Sequence, residues 1–204
     1  RIVSWHPHAH QIEGFFSPIP LAFLEPLTMF TEKFGSLAGR DHVIAVAPDA
    51  GASKLVNDFA RIMDVSAAVA SKIRPGPEEV KIMEIIGNFK GKTCAIVLDD
   101  ILASGGTLYS TIRMLVEEKG ITEVHCCVSH NVFVGEAAER MEELHQRYAL
   151  KELAVTNSIP PSQRFRQLSF VSYMPLAGIL CDTINRIHHN RSLSRLFDPD
   201  SSES

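Results

Sequence analysis

The chain has 204 residues, of which 45% are hydrophobic and 22% are charged, values that are ordinary for a globular protein with one substantial domain. Its formal net charge of −4 gives no general attraction to nucleic acid or to an anionic membrane, so we expect neither as a partner. No apolar run approaches the roughly 18 residues that a membrane-spanning helix needs, and no signal-peptide pattern is present. The cysteines form no C-x-x-C pair, which predicts a reducing compartment, the cytoplasm.

Apolar, β-branched runs alternate with segments of helical period along most of the chain. The predicted strands cover residues 42–49, 66–72, 93–100, 123–130, 152–158 and 168–172. Apolar residues at the spacing of one helix face recur between and after them, over residues 55–63, 108–116, 137–144 and 179–187. This alternation predicts an α/β fold, in which a parallel sheet is flanked by helices on both faces.

Two segments do not follow the alternation. Residues 74–92 begin with two prolines and are longer than a tight connection requires. The opening segment, residues 4–27, is rich in histidine, proline and aromatic residues and has no clear period; we expect Phe15 and Phe16 in the core. His6, His8 and His10 alternate, so in an extended chain they would share one face and could bind a metal; exposed, unrelated histidines are the alternative for His6 and His10.

The stretch "AIVLDDILASGGTLYS", residues 95–110, carries the strongest chemical signal. Asp99 and Asp100 end a predicted strand, and ligands gather at the carboxyl ends of parallel strands. The loop that follows opens a helix, whose free N–H groups and positive dipole end favour a phosphate. Its residues are Ala103, Ser104, Gly105, Gly106 and Thr107. Because carboxylates suit ribose hydroxyls, directly or through a divalent cation, the stretch predicts a sugar-phosphate site; an acidic strand end followed by a capping turn is the alternative.

Several segments of the chain carry a family resemblance. "VLDDILASGGT" resembles the ribose-phosphate motif of the type I phosphoribosyltransferase fold, which salvage transferases share with ribose-phosphate diphosphokinase, also called phosphoribosyl diphosphate synthetase. Flanking segments resemble the diphosphokinase family: "HAHQIEGFFSPIP", "APDAGASK", "SKIRPGPEEV", "SHNVFVGEAAERM", "LAVTNSIP" and "INRIHHNRSLSRLF". The similarity runs from about His6 to Phe197 and corresponds to the C-terminal half of that family.

The resemblance implies a domain organisation and an activity. Residues 1–25 would end a first domain, residues 26–185 would form a second domain with the ribose 5-phosphate site, and residues 186–204 would pack back on the first domain. The implied enzyme is a transferase and kinase of nucleotide biosynthesis. It passes the diphosphoryl group of ATP to ribose 5-phosphate with Mg²⁺, which gives phosphoribosyl diphosphate and AMP. The implied assembly is a homo-oligomer built from dimers, up to a hexamer, or a hetero-oligomer with another synthetase subunit.

The same resemblance assigns further site residues. Lys72 and Arg74 would be the catalytic cations of a mobile loop. ATP or pyrophosphate would contact Asp49, Gly51, Gln11 and His130, and the metal would be held at His8 and Asp49. An allosteric phosphate site would include Ser192, Ser194 and Phe197. From local sequence alone, a solvated strand end is the alternative for the two cations, a turn or capping aspartate for Asp49, and a core or capping histidine for His130.

Departures from the family pattern keep three functions open. Acids of the family's magnesium site fall at His6, Ser17 and Leu21, or at Ala22 in place of Leu21. The other departures are Ala52, Ala103 and Asn131. Because Lys72, Arg74 and the loop of residues 99–107 are retained, the chain is predicted to be part of an active diphosphokinase. The lost acids favour the second hypothesis, a non-catalytic regulatory subunit of a synthetase. A salvage phosphoribosyltransferase is the third, and it requires a base-recognition hood that the sequence does not reveal.

Overall fold

The structure is a computed structural model that describes residues 1–73 and 82–193, without the side chains of residues 72, 73, 82 and 83. The strands are β1 Ile2–Trp5, β2 Leu21–Leu24, β3 Val43–Ala47, β4 Ser66–Ile73, β5 Ile82–Ile86, β6 Cys94–Leu102, β7 Glu123–Asn131, β8 Leu150–Thr156 and β9 Val171–Met174. The α-helices are α1 Leu27–Lys33, α2 Ser53–Met63, α3 Gly106–Glu117, α4 Ala137–Arg147, α5 Gln163–Arg166 and α6 Ala177–His188. Two short 3-10 helices cover His10–Phe15 and Gly35–Leu37.

A seven-stranded sheet with the order β5-β4-β3-β6-β7-β8-β9 organises the domain. Its strands pair in parallel except for β5, which runs antiparallel to β4 at the edge of the sheet. Strand β6 lies centrally between β3 and β7, and its buried run from Cys94 to Asp99 is typical of a strand covered on both faces. The predicted parallel α/β fold is confirmed, apart from its antiparallel edge.

Helices cover both faces of this sheet, as the alternating pattern predicts. Apolar residues of α3, α4 and α5 pack on one face, where Leu108, Ile112 and Phe165 are fully buried. Helices α1 and α2 cover the other face with Phe30, Val56 and Phe59. We therefore attribute the placement of α2, α3 and α4 to the burial of their apolar stripes, since these helices are amphipathic at a period of 3.6 residues.

Two local predictions differ from the structure. The apolar segment 168–172 becomes a strand only from Val171, because Leu168 and Val171 close successive turns through their N–H groups, to Phe165 O and Leu168 O. Within residues 74–92, the described part from Ile82 to Ile86 is strand β5 rather than an irregular connection. Leu168 and Phe170 are buried in the core although both precede strand β9. The apolar residues of segment 168–172 therefore indicated burial rather than strand pairing.

The N-terminal segment forms a separate two-stranded parallel sheet, in which Ile2 pairs with Leu21 and Trp5 with Leu24. The expectation of buried Phe15 is wrong, because its side chain is 88% exposed on a 3-10 helix that has no buried residue. Phe16 is half-buried. The predicted boundary near residue 25 stays a prediction. None of the helices among residues 1–73 and 82–193 is long and apolar enough to cross a membrane.

Candidate active site

The candidate site lies at the carboxyl ends of β3 and β6, which are neighbours in the sheet. Val46 pairs with Val97, so Asp49 and Asp100, each three residues further on, lie at the same level, although β6 continues to Leu102 beside β7. A cavity of about 290 Å³ opens there and is lined by His8, Asp49, Asp99, Asp100 and residues 101–108. The structure therefore brings the two predicted loops and the predicted metal-site histidine into one cavity.

The loop after β6 ends in a helix start that has no side-chain cap. Gly105, at the N-cap of α3, has φ of 73°, a left-handed conformation that glycine adopts without strain. A Cβ on Gly105 would also lie 3.0 Å from Cε of Met141. Since the first N–H groups of a helix have no partner within the helix, this turn presents to the cavity the positive dipole end and donors without a side-chain partner among residues 1–73 and 82–193.

Arg140 of α4 holds the same loop from outside. Its Nη1 donates a hydrogen bond of 2.8 Å to the carbonyl of Ser104, and its Nη2 pairs with Glu136 at 2.9 Å. The Ser104 side chain is exposed and that of Thr107 is half-buried, and both residues line the cavity. The sequence-based reasoning did not single out Arg140, because its position beside the loop depends on the packing of α4 against α3.

The two adjacent acids have different environments. Asp99 is 8% exposed, and its Oδ1 accepts a hydrogen bond of 2.9 Å from the N–H of Asp100. Burial, reinforced by the charge of Asp100, raises the pKa of Asp99 to about 8. A buried acid beside a second carboxylate is a site at which a cation lowers the free energy of the ionised form.

Asp100 is paired with the predicted metal-site histidine. His8 Nδ1 lies 2.5 Å from Asp100 Oδ2, although the two residues are 92 positions apart. Burial by itself would raise the pKa of Asp100, but the hydrogen bond and charge of His8 outweigh it, so the pKa is lowered. The same hydrogen bond raises the pKa of His8, which is exposed. The pairing therefore favours the charged form of both partners, the imidazolium of His8 and the carboxylate of Asp100.

In the loop after β3, the carboxylate of Asp49 accepts hydrogen bonds from backbone N–H groups of the same loop. Asp49 Oδ1 accepts hydrogen bonds from the N–H groups of Gly51, at 2.9 Å, and Ala52, at 3.4 Å. This is the geometry of an Asx turn that leads into α2. The arrangement engages one of the two carboxylate oxygens of Asp49, and the residue remains exposed at the cavity wall.

A second cavity of about 390 Å³ adjoins the first through shared His8 and Asp100. It is lined by the other histidines of the opening segment, His6 and His10, and by the charged residues Glu25, Lys54 and Asp58. Lys54 is a cation that sequence reasoning missed, although it ends the quoted segment "APDAGASK". Its signal was its place in the first turn of the helix that follows the glycine loop.

The three alternating histidines do not share one face of a strand. Strand β1 ends at Trp5, and His6 has φ of 33°, so the chain turns before His8. The expectation of an exposed His6 is wrong: it is 8% exposed, its Nδ1 lies 2.6 Å from Ser129 Oγ, and burial is the main cause that lowers its pKa to about 4. His10 is exposed and lies 3.5 Å from Glu25.

His130 is tied to protein groups through both ring nitrogens. Its Nε2 donates to the carbonyl of His6 at 2.8 Å, and its Nδ1 lies 2.9 Å from Ser158 Oγ. It is not among the described residues that line the two cavities. Gln11 is likewise outside both linings and lies exposed in the 3-10 helix His10–Phe15.

The remaining predicted site residues are only partly described. Lys72 belongs to β4 and lies three residues beyond Val69, the partner of Ala47, so its backbone reaches past the carboxyl end of β3. Arg74, Ser194 and Phe197 lie outside the described residues. Ser192 follows α6 and is exposed, and its carbonyl accepts a hydrogen bond of 3.0 Å from Arg186.

Comparison with known proteins places this geometry in a family. Residues 57–198 match the family described as "Phosphoribosyl synthetase-associated domain". The chain is 35% identical to a ribose-phosphate pyrophosphokinase of Listeria ivanovii over 200 residues, which are 97% of this chain and 60% of that protein. A ribose-phosphate pyrophosphokinase of Bacillus cereus is 36% identical with the same coverage. The chain thus spans about 60% of the length of these curated relatives.

A solved structure supports the same relationship. The phosphoribosylpyrophosphate synthetase of Mycobacterium smegmatis superposes with a TM-score of 0.79 and 26% sequence identity. The superposition covers 93% of this chain and 59% of the mycobacterial chain. The predicted type I phosphoribosyltransferase-like fold is therefore confirmed for the sheet and its flanking helices.

Proposed function

The chain belongs to the phosphoribosyl synthetase family, and from this premise we propose that it carries the ribose 5-phosphate site of a ribose-phosphate diphosphokinase. The observation that carries the proposal is the shared cavity of Asp99, Asp100 and the uncapped start of α3. The N–H groups around Gly105 and Gly106, with the hydroxyls of Ser104 and Thr107, bind the 5-phosphate. The two carboxylates bind the ribose hydroxyls.

Mg²⁺ is the cation that we propose for this site. Asp49, Asp99 and Asp100 line one cavity, and Mg²⁺ takes one or two carboxylates while it keeps several of its waters. The raised pKa of buried Asp99 supports the fit, because a bound cation offsets the cost of ionising it. When bound, Mg²⁺ would neutralise charge on the phosphates of ATP. His8, our predicted metal ligand, would then release Asp100 and bind the ion through a neutral ring nitrogen.

The proposed reaction joins ribose 5-phosphate to the diphosphoryl group of ATP. The anomeric hydroxyl oxygen forms a bond to the β-phosphorus, the bond from that phosphorus to the α–β bridging oxygen breaks, and AMP leaves. The hydroxyl loses its proton in this step. Lys72 and Arg74 are the proposed cations that stabilise the developing negative charge, and Lys54 in the adjacent cavity supplies a further positive charge.

Binding of ribose 5-phosphate tests the site independently of catalysis. In titration calorimetry with Mg²⁺, Thr107→Val should weaken binding about tenfold, since a hydrogen bond to a charged group contributes roughly 1.5–3 kcal/mol. Ser110→Ala is the matched control one turn along α3, where Ser110 Oγ donates to the carbonyl of Gly106. It should leave the affinity unchanged. Equal effects of the two variants would contradict the proposed phosphate site.

A non-catalytic synthetase subunit is the second candidate function. The observation that favours it is His6, which stands where the family has a magnesium-site acid and which is buried against Ser129 rather than directed to a metal. Ser17 and Leu21 also lack carboxylates. Such a subunit would keep the ribose-phosphate site and assemble with an active synthetase. A salvage transferase finds no comparable support in the described residues.

One assay separates the two candidates. The full-length protein, with Mg²⁺, ATP and ribose 5-phosphate, should release AMP in step with phosphoribosyl diphosphate. The double variant Lys72→Ala, Arg74→Ala should lower this rate by about 10²–10³-fold while ribose 5-phosphate still binds. Binding without AMP release in the unaltered protein would favour the regulatory subunit. Full AMP release by the double variant would show that the catalytic cations lie elsewhere.

The proposed cellular context follows from the same function. We place the protein in the cytoplasm, where its buried thiols at Cys94, Cys126 and Cys127 would stay reduced, and in nucleotide biosynthesis. Its proposed partners are further copies of itself or another synthetase subunit. We keep the proposal that residues 1–25 end a first domain and that residues 186–204 pack on it, with the allosteric phosphate site at Ser192, Ser194 and Phe197.

A further inference from the structure

A cluster of three potential metal ligands lies at the amino-terminal ends of β6 and β7, away from the candidate active site. Cys94 begins β6, and Glu123 and His125 lie at the beginning of β7. Cys94 pairs with Glu123 in the ladder, and Glu123 and His125 are two residues apart, so the three side chains share one face. Their ligand atoms all lie within 4.8 Å of one another. Asp99 lies five positions after Cys94 on β6, roughly 16 Å along the strand, so the cluster is distinct from the candidate active site.

We propose that Cys94, Glu123 and His125 form a binding site for a zinc-class transition metal ion. A thiolate, an imidazole and a carboxylate are the donors that Zn²⁺ takes in tetrahedral sites, and three protein ligands leave the fourth position for water. Bonds of about 2.0–2.3 Å would draw the three ligand atoms to roughly 3.5 Å from one another. The partly exposed side chain of Glu123 can make most of this adjustment by rotation.

The hydrogen bonding of His125 gives independent support. Its Nδ1 is buried and has no hydrogen-bond partner among the described residues, while its Nε2 lies 2.8 Å from Glu123 Oε1. A neutral imidazole carries one proton, so donation from Nε2 to Glu123 leaves Nδ1 as an unsatisfied acceptor. If a metal binds Nε2, the proton moves to Nδ1, which faces Glu152 Oε2 at 3.9 Å. Metal binding would thus direct an N–H of His125 toward the Glu152 carboxylate, and a small shift of either side chain would bring the two into hydrogen-bond distance.

Glu152 is held where a metal-bound histidine needs a carboxylate. It is the ladder partner of His125 on β8, and it accepts from Lys33 Nζ and from Ser172 Oγ, both at 2.5 Å. Histidine ligands of metals commonly donate their second N–H to a carboxylate that is itself fixed by hydrogen bonds. Glu152 is therefore a positioning residue of the proposed site, joined to it through His125 rather than to the metal.

A metal ion at this site would bind Cys94 as a thiolate. Cys94 is 2% exposed, and a free thiol carries a proton at neutral pH because its ordinary pKa is about 8.5. A bound Zn²⁺ would displace this proton and pair the resulting thiolate with a divalent charge. The proton is released to water, and no oxidation or reduction takes place.

Metal titration of the full-length protein tests the site. After removal of metals with a chelator, Co²⁺ should produce a thiolate-to-metal charge-transfer absorption, and Zn²⁺ should abolish it by competition. Zn²⁺ at about a hundred times its dissociation constant should raise Tm by roughly 5–10 °C. Cys94→Val should lose the absorption and at least about 100-fold in Zn²⁺ affinity. Cys181→Ser, at an exposed cysteine on α6, should behave like the unaltered protein.

A second pair of variants keeps the test valid if Cys94→Val does not fold. Glu123→Gln alters a partly exposed side chain and should lower Zn²⁺ affinity at least tenfold, by analogy with the roughly 10–100-fold effects of supporting residues. Glu118→Gln, exposed just after α3, should have no effect. Co²⁺ binding without thiolate absorption, or equal Zn²⁺ affinity in Glu123→Gln and Glu118→Gln, would overturn the proposal. Neither result bears on ribose 5-phosphate binding, so the proposed function is tested separately.

Discussion

The two glycine loops at the carboxyl edge of the sheet have the same order of elements but use their backbone N–H groups differently. In the loop after β3, Asp49 Oδ1 accepts from the N–H groups of Gly51 and Ala52, so the acid satisfies its own turn. Helices α2 and α3 both begin without a side-chain cap, but in the loop after β6 no side chain of the described residues accepts from the N–H groups around Gly105. The second loop therefore keeps its donors available for an anionic ligand.

The spacing between acid and glycine explains this difference. Asp49 is two residues before Gly51, the separation at which an aspartate closes an Asx turn. Asp99 is six residues before Gly105, too far along the chain for that contact, and its Oδ1 instead accepts from the N–H of Asp100. We infer that acid spacing decides whether the carboxylate engages the N–H groups of its own loop, while the second oxygen of Asp49 stays available for a ligand.

Gly105→Ala should have the largest effect on this comparison. Alanine at φ of 73° costs about 1–2 kcal/mol, and its Cβ would press on Met141 Cε at 3.0 Å, so we expect a loss of about 2 kcal/mol in the free energy of unfolding. Ribose 5-phosphate affinity should fall at least about tenfold, since the loop backbone must shift. Gly51→Ala is the control, with a Cβ 3.1 Å from Asp49 Oδ1 and an expected loss below about 1 kcal/mol. If urea unfolding showed equal losses in the free energy of unfolding for Gly105→Ala and Gly51→Ala, the proposed difference between the two loops would be contradicted.

Asp99→Asn should increase stability at high pH. The folded-state pKa of about 8 lies above the ordinary 3.8, so folding favours the protonated acid. Its contribution is complete below about pH 4 and is lost as pH rises through about 8. At pH 9 the neutral variant should be more stable than the unaltered protein by at least roughly 1.4 kcal/mol, the equivalent of one pKa unit.

The Asp99→Asn measurement requires urea unfolding at pH 5 and at pH 9. The difference between variant and unaltered protein should grow with pH, and Mg²⁺ at pH 9 should reduce it by stabilising the ionised carboxylate. A difference that is independent of pH would show that burial does not set the protonation of Asp99. If Asp99→Asn were less stable than the unaltered protein at pH 9, folding would not raise the pKa of Asp99.

Asp49→Ala should cost about 1 kcal/mol, because the two N–H groups that lead into α2 lose their acceptor. Asp49→Asn keeps an amide oxygen at the same position and should retain most of this stability. Ribose 5-phosphate affinity, measured by calorimetry, should change by less than about twofold in either variant. A large loss of ribose 5-phosphate affinity in Asp49→Ala would contradict the assignment of ribose 5-phosphate binding to the loop after β6.

Arg140→Met should have the smallest effect. It removes the hydrogen bond to the Ser104 carbonyl but leaves the loop glycines in place, so we expect a loss of about 0.5–1 kcal/mol and a severalfold weaker ribose 5-phosphate affinity. Arg147→Met on the same helix removes an exposed pair with Glu143 and a contact with the ring of Tyr148, 5.8 Å from its centroid, but no contact with the loop; it should change stability by less than about 1 kcal/mol. Indistinguishable affinities in the two variants would mean that Arg140 does not position the loop.

Much of the fold was predictable from periodicity. Buried runs such as residues 93–100 and amphipathic segments such as residues 108–116 report local geometry, and both form the expected strand and helix. The antiparallel β5 was not predicted, because its run Ile82–Ile86 follows a proline-bearing segment and forms an edge strand. The predicted burial of Phe15 was also wrong, because an aromatic residue without periodic neighbours does not show whether its side chain faces the core or the solvent.

The candidate site was predictable to the extent that it is contiguous. Asp99, Asp100 and residues 103–107 were identified because a strand end, a glycine loop and a helix start follow one another within a few residues. The His8–Asp100 pair and the supporting contact of Arg140 were not predicted as contacts, because each joins segments far apart in the chain. His130 was expected near phosphates, yet its ring nitrogens contact His6 and Ser158.

The strand–loop–helix order of the ribose-phosphate motif is encoded locally, since hydrogen bonding and apolar period act over a few residues. Which distant residues meet depends on the packed sheet and could not be derived from local patterns. Strand pairing sets Cys94 beside Glu123, and the turn at His6 buries an imidazole that the alternating pattern left exposed. The physical reason is that ladder register and side-chain burial depend on the whole packed sheet, whereas a helix start depends on its own loop.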